Sequence, residues 1–275
     1  MKNLLLLICV ITCTSSFSQY YYNDIIANEQ SNKRYQLLKS NKIKNITVNS
    51  YDAENQASQG FSLSQEFTPD YRKLITKSTT ATGSISLLSS FYENNKVKRS
   101  DEITKGVETK SEYVYNDKGL LQNITSTSTD TALKSKSVEA HVWIYNEKGQ
   151  PTSMLKIKNN TDTIRIEMVL DDHGNIIEEH WKRKTVSLEN YYYYYNDKNQ
   201  LTDIVRFNKR AQKLLPDFLF EYDAAGRLSQ MIQVPAGSSN YTIWKYTYDD
   251  KGLKQEEICS DRQKQLMGKI VYSYQ

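Results

Sequence analysis

Few residues in this chain could do chemistry. The three histidines are His141, His173 and His180. In the string EEH at 178–180, Glu178 and His180 share a strand face, and Asp171 and Asp172 belong to the same hairpin. A zinc or calcium site needs three or more such donors to converge. His173 occupies a turn slot filled by Lys in sister segments, so it reads as a solvated turn residue. Cys259 ends the string KQEEIC with no histidine nominated as partner, which makes it a strand residue rather than a nucleophile. Glu256 and Glu257 are adjacent on a strand and face opposite ways, the wrong arrangement for shared acid–base work. No nucleophile elbow, zinc-protease helix, phosphate loop or dinucleotide fingerprint occurs. The sequence therefore nominates no catalytic, cofactor-binding or metal residue, and the expectation is a protein that is not an enzyme. Two carboxylates from distant segments leave no local signature, so a glycan-active protein stays as an alternative.

The elements that would position these groups follow from composition. The chain has 275 residues and a net charge of +4, with Lys and Glu interspersed rather than clustered. That excludes the one-faced basic footprint of a nucleic-acid binder. Tyrosine is in excess, 21 residues against 7 Phe and 3 Trp, and aromatic rings favour the pleated surface of a sheet. The start, MKNLLLLICVITCTSSFSQ, has Lys2, a short apolar core and small residues Ser16 and Ser18. It reads as a signal peptide over 1–18 cleaved after Ser18, with lipidation at Cys13 as the alternative. It is too short to span a bilayer, and no later apolar run makes a transmembrane helix. Cleavage removes Cys9 and Cys13, leaving Cys259 without a disulfide partner.

A period of about 25 residues organises the rest. The segments are YVYNDKGLLQNI, WIYNEKGQPTSM, MVLDDHGNIIEE, YYYNDKNQLTDI, FEYDAAGRLSQM and YTYDDKGLKQEE. They align on Tyr115, Tyr145, Leu170, Tyr195, Tyr222 and Tyr248, with Tyr274 opening a further copy. Each anchor precedes Asn or Asp, which suits the first position of a type I turn. Three residues later comes Gly119, Gly149, Gly174, Gly226 or Gly252, able to take the left-handed conformation. These are five of the ten glycines; in the remaining unit Asn199 stands in. Two residues before each anchor stand Tyr113, Trp143, Met168, Tyr193, Phe220, Tyr246 and Tyr272, so anchor and predecessor share a face. Adjacent units would then form two columns of large side chains. The five consecutive tyrosines at 191–195 are one rung of this array, with Tyr191, Tyr193 and Tyr195 on one face and Tyr192 and Tyr194 on the other. Behind the turn, pairs such as Leu121 and Ile124 or Leu201 and Ile204 lie three apart, which puts them on opposite faces unless a bulge intervenes.

The unit YDAAGRL, from Tyr222 to Leu228, resembles the YD repeat of the Rhs family of bacterial proteins. YNDKGL, YNEKGQ and YDDKGL are looser copies, with weaker ones opening at Tyr51, Phe67 and Phe91. The resemblance implies hairpin-repeat architecture over 45–275. It does not extend to the core and toxin domains of that family, so toxin delivery is not implied. Segment 19–44 reads instead as a helix capped by Asn23 or Asp24 and running to about Ser40, placed to cover the first edge of the sheet. Polar stretches at 126–137, 158–163, 182–190, 208–217 and 235–240 read as loops at the far rim.

The expected fold is all-β: a long antiparallel meander of hairpins, curled or partly closed, with a short N-terminal helix. The expected function is a scaffold or binding module, exported to the bacterial envelope, with a protein or glycan as partner. The alternatives are a glycan-binding or glycan-active protein and an outer-membrane β-barrel. Against the last, NITSTSTDTAL shows no lipid-facing band and the last residue is Gln275, not an aromatic.

Overall fold

The computed structural model describes residues 19–208, 211–235, 238 and 240–275. The expected signal peptide, its cleavage point and Cys13 lie outside the described residues. A π-helical turn, Tyr21–Ile26, runs straight into helix α1, Ala27–Ser40. The strands β1 to β6 are Asn45–Asp52, Ser62–Phe67, Lys73–Thr79, Ile85–Glu93, Lys96–Thr104 and Val107–Tyr115. Strands β7 to β12 are Leu121–Asp130, Ser135–Tyr145, Pro151–Lys158, Asp162–Leu170, Ile176–Arg183 and Val186–Tyr195. Strands β13 to β18 are Leu201–Asn208, Lys213–Tyr222, Leu228–Gln233, Thr242–Tyr248, Lys254–Ser260 and Leu266–Tyr274.

Every strand pairs antiparallel with its sequence neighbours, and β18 pairs with β1 from Ile46↔Tyr274 to Asp52↔Gly268. The meander expected from the period is therefore present, and its curl is complete: an 18-stranded closed barrel. A closed sheet has no edge to protect, so the helix does not have the edge-covering place expected of it. It lies inside, just within the rim formed by the repeat turns. Its start packs on β8–β14, with Tyr22 stacked on Phe218 and Phe220 and Tyr21 edge-on to Tyr193. Its end packs on β1–β5, where Tyr35 stacks on Tyr92 at 3.9 Å and Leu38 is fully buried. A barrel this wide is more than wall side chains can fill, and the helix fills one end.

The repeat turns form as their chemistry dictates. In the first, the Gly119 N–H donates to the Asn116 carbonyl at 2.7 Å, while the Asn116 side chain accepts from the N–H groups of Lys118 and Leu120. Gly226 has φ +77°, and Asn199 takes φ +56° in the same slot. The strand register shifts by one residue at each anchor, between Val114 and Tyr115, Tyr194 and Tyr195, or Glu221 and Tyr222. That bulge settles the spacing of three: Leu201 and Ile204 are both buried in the interior. Tyr191 and Tyr193 face inward and are buried, while Tyr194 on the other face is 48 % exposed. The expected far-rim loops are mostly strand instead. Residues 126–130 belong to β7, and Ser/Thr there suit a sheet because their hydroxyls pair across it: Ser111 with Ser126 at 2.8 Å, Thr109 with Ser128 at 3.0 Å.

Adjacent hairpins are joined by one recurring bond. The ladder between β7 and β8 stops at Asn123↔Val142, three residues short of Tyr145. There the Tyr145 phenol donates to the Leu121 carbonyl of the preceding hairpin at 2.5 Å. The arrangement repeats for Tyr195 to Ile176 at 2.9 Å, Tyr222 to Leu201 at 2.7 Å, Tyr248 to Leu228 at 2.8 Å and Tyr274 to Lys254 at 2.7 Å. Each acceptor opens a strand beside a bulge, where the ladder offers its carbonyl no partner. Burial raises the pKa of all five phenols, to about 12 for Tyr248 and Tyr274, so each remains a protonated donor. Leu170 lacks a hydroxyl, and Tyr115 donates to Asn28 of the helix at 3.1 Å.

Deleting one phenol leaves a partly buried carbonyl unpaired, which costs about 1–2 kcal/mol. Tyr222→Phe and Tyr248→Phe are each expected to lose that much stability in urea unfolding. Tyr194→Phe on the outer wall is expected to change it by no more than about 0.5 kcal/mol. At the turn, Gly226→Asn is expected to be tolerated and Gly226→Val to lose about 1–2 kcal/mol, because a β-branched side chain resists positive φ.

Candidate functional site

The structure separates the residues that the sequence offered for a metal. Glu178 and His180 lie on the outer wall, bonded to each other at 2.5 Å. Asp171 is held by its turn, accepting from the N–H groups of His173 and Asn175, and His173 is exposed. Glu257 faces inward and accepts from Tyr272 at 2.6 Å, whereas Glu256 faces outward towards Lys269. The Cys259 thiol is buried, with Met267 Sδ at 4.0 Å, and burial pushes it up to about 11.

The groups that do converge lie in the interior around residues 19–24, and none of them was read in the sequence as part of one cluster. Glu179 is fully buried. Its carboxylate accepts from the backbone N–H of Tyr20 at 3.0 Å and of Tyr21 at 3.1 Å, from Trp181 Nε1 at 2.6 Å and from the Tyr193 phenol at 2.5 Å. It caps the start of the helix from the barrel wall, where unpaired N–H groups and the helix dipole favour an anion. Burial raises its pKa and the four donors act against that rise. Asn23 or Asp24 was expected as the helix cap, but both fall inside the π-helical turn, whose N-cap is Tyr20. Glu179 takes the N–H groups at that start, and Asp24 turns to the wall. Its Oδ2 meets His141 Nδ1 at 2.8 Å and accepts from Trp143 Nε1 at 3.1 Å.

The network extends outward from His141. Its Nε2 lies 3.1 Å from Glu139 Oε1; Lys156 bridges Glu139 at 3.1 Å and the Tyr20 phenol at 2.8 Å. Burial alone would lower the imidazole pKa, but Asp24 and Glu139 outweigh it and hold it at about 9. Burial alone would raise Glu139, but His141 and Lys156 outweigh it and hold it at about 2. On the next stretch of wall, Arg206 Nε meets Asp217 Oδ1 at 3.0 Å, and Gln19 Nε2 donates to Asp217 Oδ2 at 2.8 Å. The combined effect is to lock the N-terminal segment in place. These charged groups bond one another and the plug, so what they do chemically is positional.

A second luminal region lies nearer the far rim on β4–β8. Ser111 shares the face of Tyr113 by the two-residue period and so points inward. Ser86, Thr104 and Glu102 are linked there, with Thr104 Oγ1 2.7 Å from Ser86 and Ser86 Oγ 3.1 Å from Glu102. Around Ser86 this sector offers hydroxyls and the Glu102 carboxylate, the groups that bind polar ligands by hydrogen bonds.

No protein-family model matches the sequence, and no curated protein matches it. Among solved structures it is similar to a porin-like protein from Bacteroides uniformis, at 12% identity over 85% of this chain and 98% of that one, with a TM-score of 0.40. It is similar to a porin-like protein from Bacteroides vulgatus at 10% identity over 85% and 98%, with a TM-score of 0.29. It is also similar to the Photorhabdus luminescens Tc holotoxin pore, at 12% identity over 85% of this chain and 17% of the toxin chain, with a TM-score of 0.31.

Two outcomes test the network. Because folding raises the His141 pKa from 6.5 to about 9, its contribution is complete below pH 6.5 and is lost as the pH rises through 9. The unfolding temperature is expected to fall across that window, and His141→Gln to flatten the fall. Glu179→Gln replaces an all-acceptor group by one whose amide faces four donors. It is expected to cost about 3 kcal/mol in urea unfolding.

Proposed function

We propose that the protein is a non-enzymatic binding or scaffold module of the bacterial envelope, built as a plugged barrel that stands in water. The observation that carries this is the engagement of Glu179, Asp24, His141, Glu139, Lys156, Arg206 and Asp217 in seating the N-terminal segment. A catalytic acid or base has to reach a substrate, and these groups are committed to the plug. The YD-like reading of the repeats belongs to the same proposal and concerns architecture alone. Export rests on the signal-like start of the sequence.

The outer-membrane reading shares the closed barrel, and the charges of the outer wall favour the first reading over it. Among the described residues no helix is long and apolar enough to cross a membrane, which leaves a strand-built crossing open. Strand β6 presents Glu108, Lys110 and Glu112 outward; β10 and β11 present Arg165, Glu167, Glu178 and Lys182. These charges pair along the wall, Lys182 with Glu167 at 2.6 Å and Lys110 with Glu112 at 2.7 Å. A cationic side chain facing lipid costs about 2–4 kcal/mol at the bilayer centre and anionic ones somewhat less, whereas water solvates all of them. The hydroxyl sector on β4–β8 favours one second reading, in which the ligand is a glycan held by hydrogen bonds.

Expression without the signal segment is expected to give protein that stays in solution and monodisperse without detergent. Recovery only in detergent micelles would reject the water-facing wall. On a glycan array, binding lost in Glu102→Gln would favour the second reading over the first.

A further inference from the structure

The two rims of the barrel differ in a way that the plug does not explain. At the rim of the repeat turns, charges of both signs alternate within each turn, as in Asp117 with Lys118, Glu147 with Lys148 and Asp197 with Lys198. At the opposite rim, exposed aliphatic side chains stand at the turns: Leu133 is 77 % exposed, Val186 60 % and Ile103 48 %. Each has an exposed lysine within two residues, Lys134, Lys184 and Lys105 respectively. Leu214 with Lys213 and Leu266 with Lys264 repeat the pairing on two further hairpins. Among the described residues these five lysines carry no ion pair. Acidic groups stand nearby without pairing to these lysines, among them exposed Glu108, opposite Ile103 in the β5–β6 ladder. Asp130 and Asp261 accept N–H bonds within their own turns, and Asp162 pairs with Arg183 at 2.9 Å.

A single exposed aliphatic residue needs no explanation. Val114, Ile144 and Val169 are exposed near the other rim but have no lysine within two residues; the five close aliphatic–lysine pairs lie at this end, where they set apolar tips and positive charge in one ring. We propose that this rim docks on an anionic lipid bilayer, with the aliphatic tips in the headgroup layer and the lysines against the phosphates. Charge complementarity selects this occupant: among the described residues none of the five lysines is in an ion pair, and an anionic bilayer supplies partners across a plane. A lysine's butyl stem lies along apolar surface while its ammonium stays at the polar level, so each pair suits that boundary. Anionic membrane surfaces attract such residues individually and weakly, and a rigid ring makes the contacts additive by presenting them at once. The proposal rests on the barrel wall standing in water, since a wall immersed in lipid would leave no rim free to dock.

The test is co-sedimentation of the purified full chain with vesicles of phosphatidylglycerol and phosphatidylcholine in about equal parts, compared with phosphatidylcholine alone. Binding is expected only to the anionic vesicles and to weaken as salt is raised. Lys134→Gln, Lys184→Gln and Lys264→Gln are expected to weaken it about fivefold each. The triple variant Leu133→Ser, Val186→Ser and Leu266→Ser is expected to weaken it further at unchanged unfolding temperature, since these side chains sit in solvent. Lys148→Gln, Lys198→Gln and Lys251→Gln at the repeat-turn rim are expected to bind as the parent does. Equal binding to both vesicle types, equal loss from either rim, or no binding would each overturn the proposal. Protein that stays in solution without detergent yet ignores vesicles would overturn the docking alone and leave the water-facing wall standing.

Discussion

The bond from an anchor tyrosine to the preceding hairpin's carbonyl is the interaction on which the rest of the fold depends. Within a hairpin, turn and ladder set the register. Between hairpins the ladder stops three residues before the anchor, and the strands part at the bulge. The phenols of Tyr145, Tyr195, Tyr222, Tyr248 and Tyr274 close that gap. A phenylalanine would bury similar area but leave the carbonyl dry. The excess of tyrosine over phenylalanine thus has a cause in backbone hydrogen bonding as well as in ring packing. From β7 to β18 this geometry recurs at every hairpin joint except the one at Leu170, and it holds β18 in the register at which it meets β1.

Closure poses a second problem, because eighteen strands enclose more space than their own inward side chains can fill. The protein solves it with its N-terminal segment. The aromatic columns supply an apolar socket, and a few buried charges decide where the segment sits. Glu179 fixes the helix start, Asp217 takes Gln19, and His141 with Trp143 takes Asp24. Each charge meets several partners, which is the condition under which burial is tolerated. The outer wall has no such arrangement: its charges pair locally with one another, as Lys182 with Glu167 and Lys110 with Glu112. Position, not composition, distinguishes the two sets of ionisable groups.

The local rules were legible in the sequence. The turn slot with its glycine or asparagine, the inward columns and the split of tyrosines 191–195 between two faces all follow from sterics and a period of two. What spans distant segments was not. Closure depends on β1 meeting β18, and no local pattern reports that. Glu179 sits in EEH beside the residues that looked like metal ligands, and strand parity alone could not show it to be the buried one, since the register also shifts between His180 and Lys182. Asp24 looked like a helix cap because its true partners, His141 and Trp143, lie more than a hundred residues away. The Ser/Thr stretch of β7 looked like loop because its composition is polar. Its hydroxyls are satisfied by a neighbouring strand whose identity the sequence does not reveal.

The central claim is that register, passed from hairpin to hairpin through the tyrosines, seats the last strand on the first. Oxidative cross-linking of Thr47→Cys with Ser273→Cys in a Cys259→Ser background tests it directly, since Thr47 and Ser273 are opposite each other in the β1–β18 pairing. The account predicts a rapid intramolecular disulfide that slows when Tyr222, Tyr248 and Tyr274 are all replaced by phenylalanine. A pair that cross-links only between molecules, or fails to form one at all, would contradict the closed barrel. A rate indifferent to the phenols would contradict the role assigned to them.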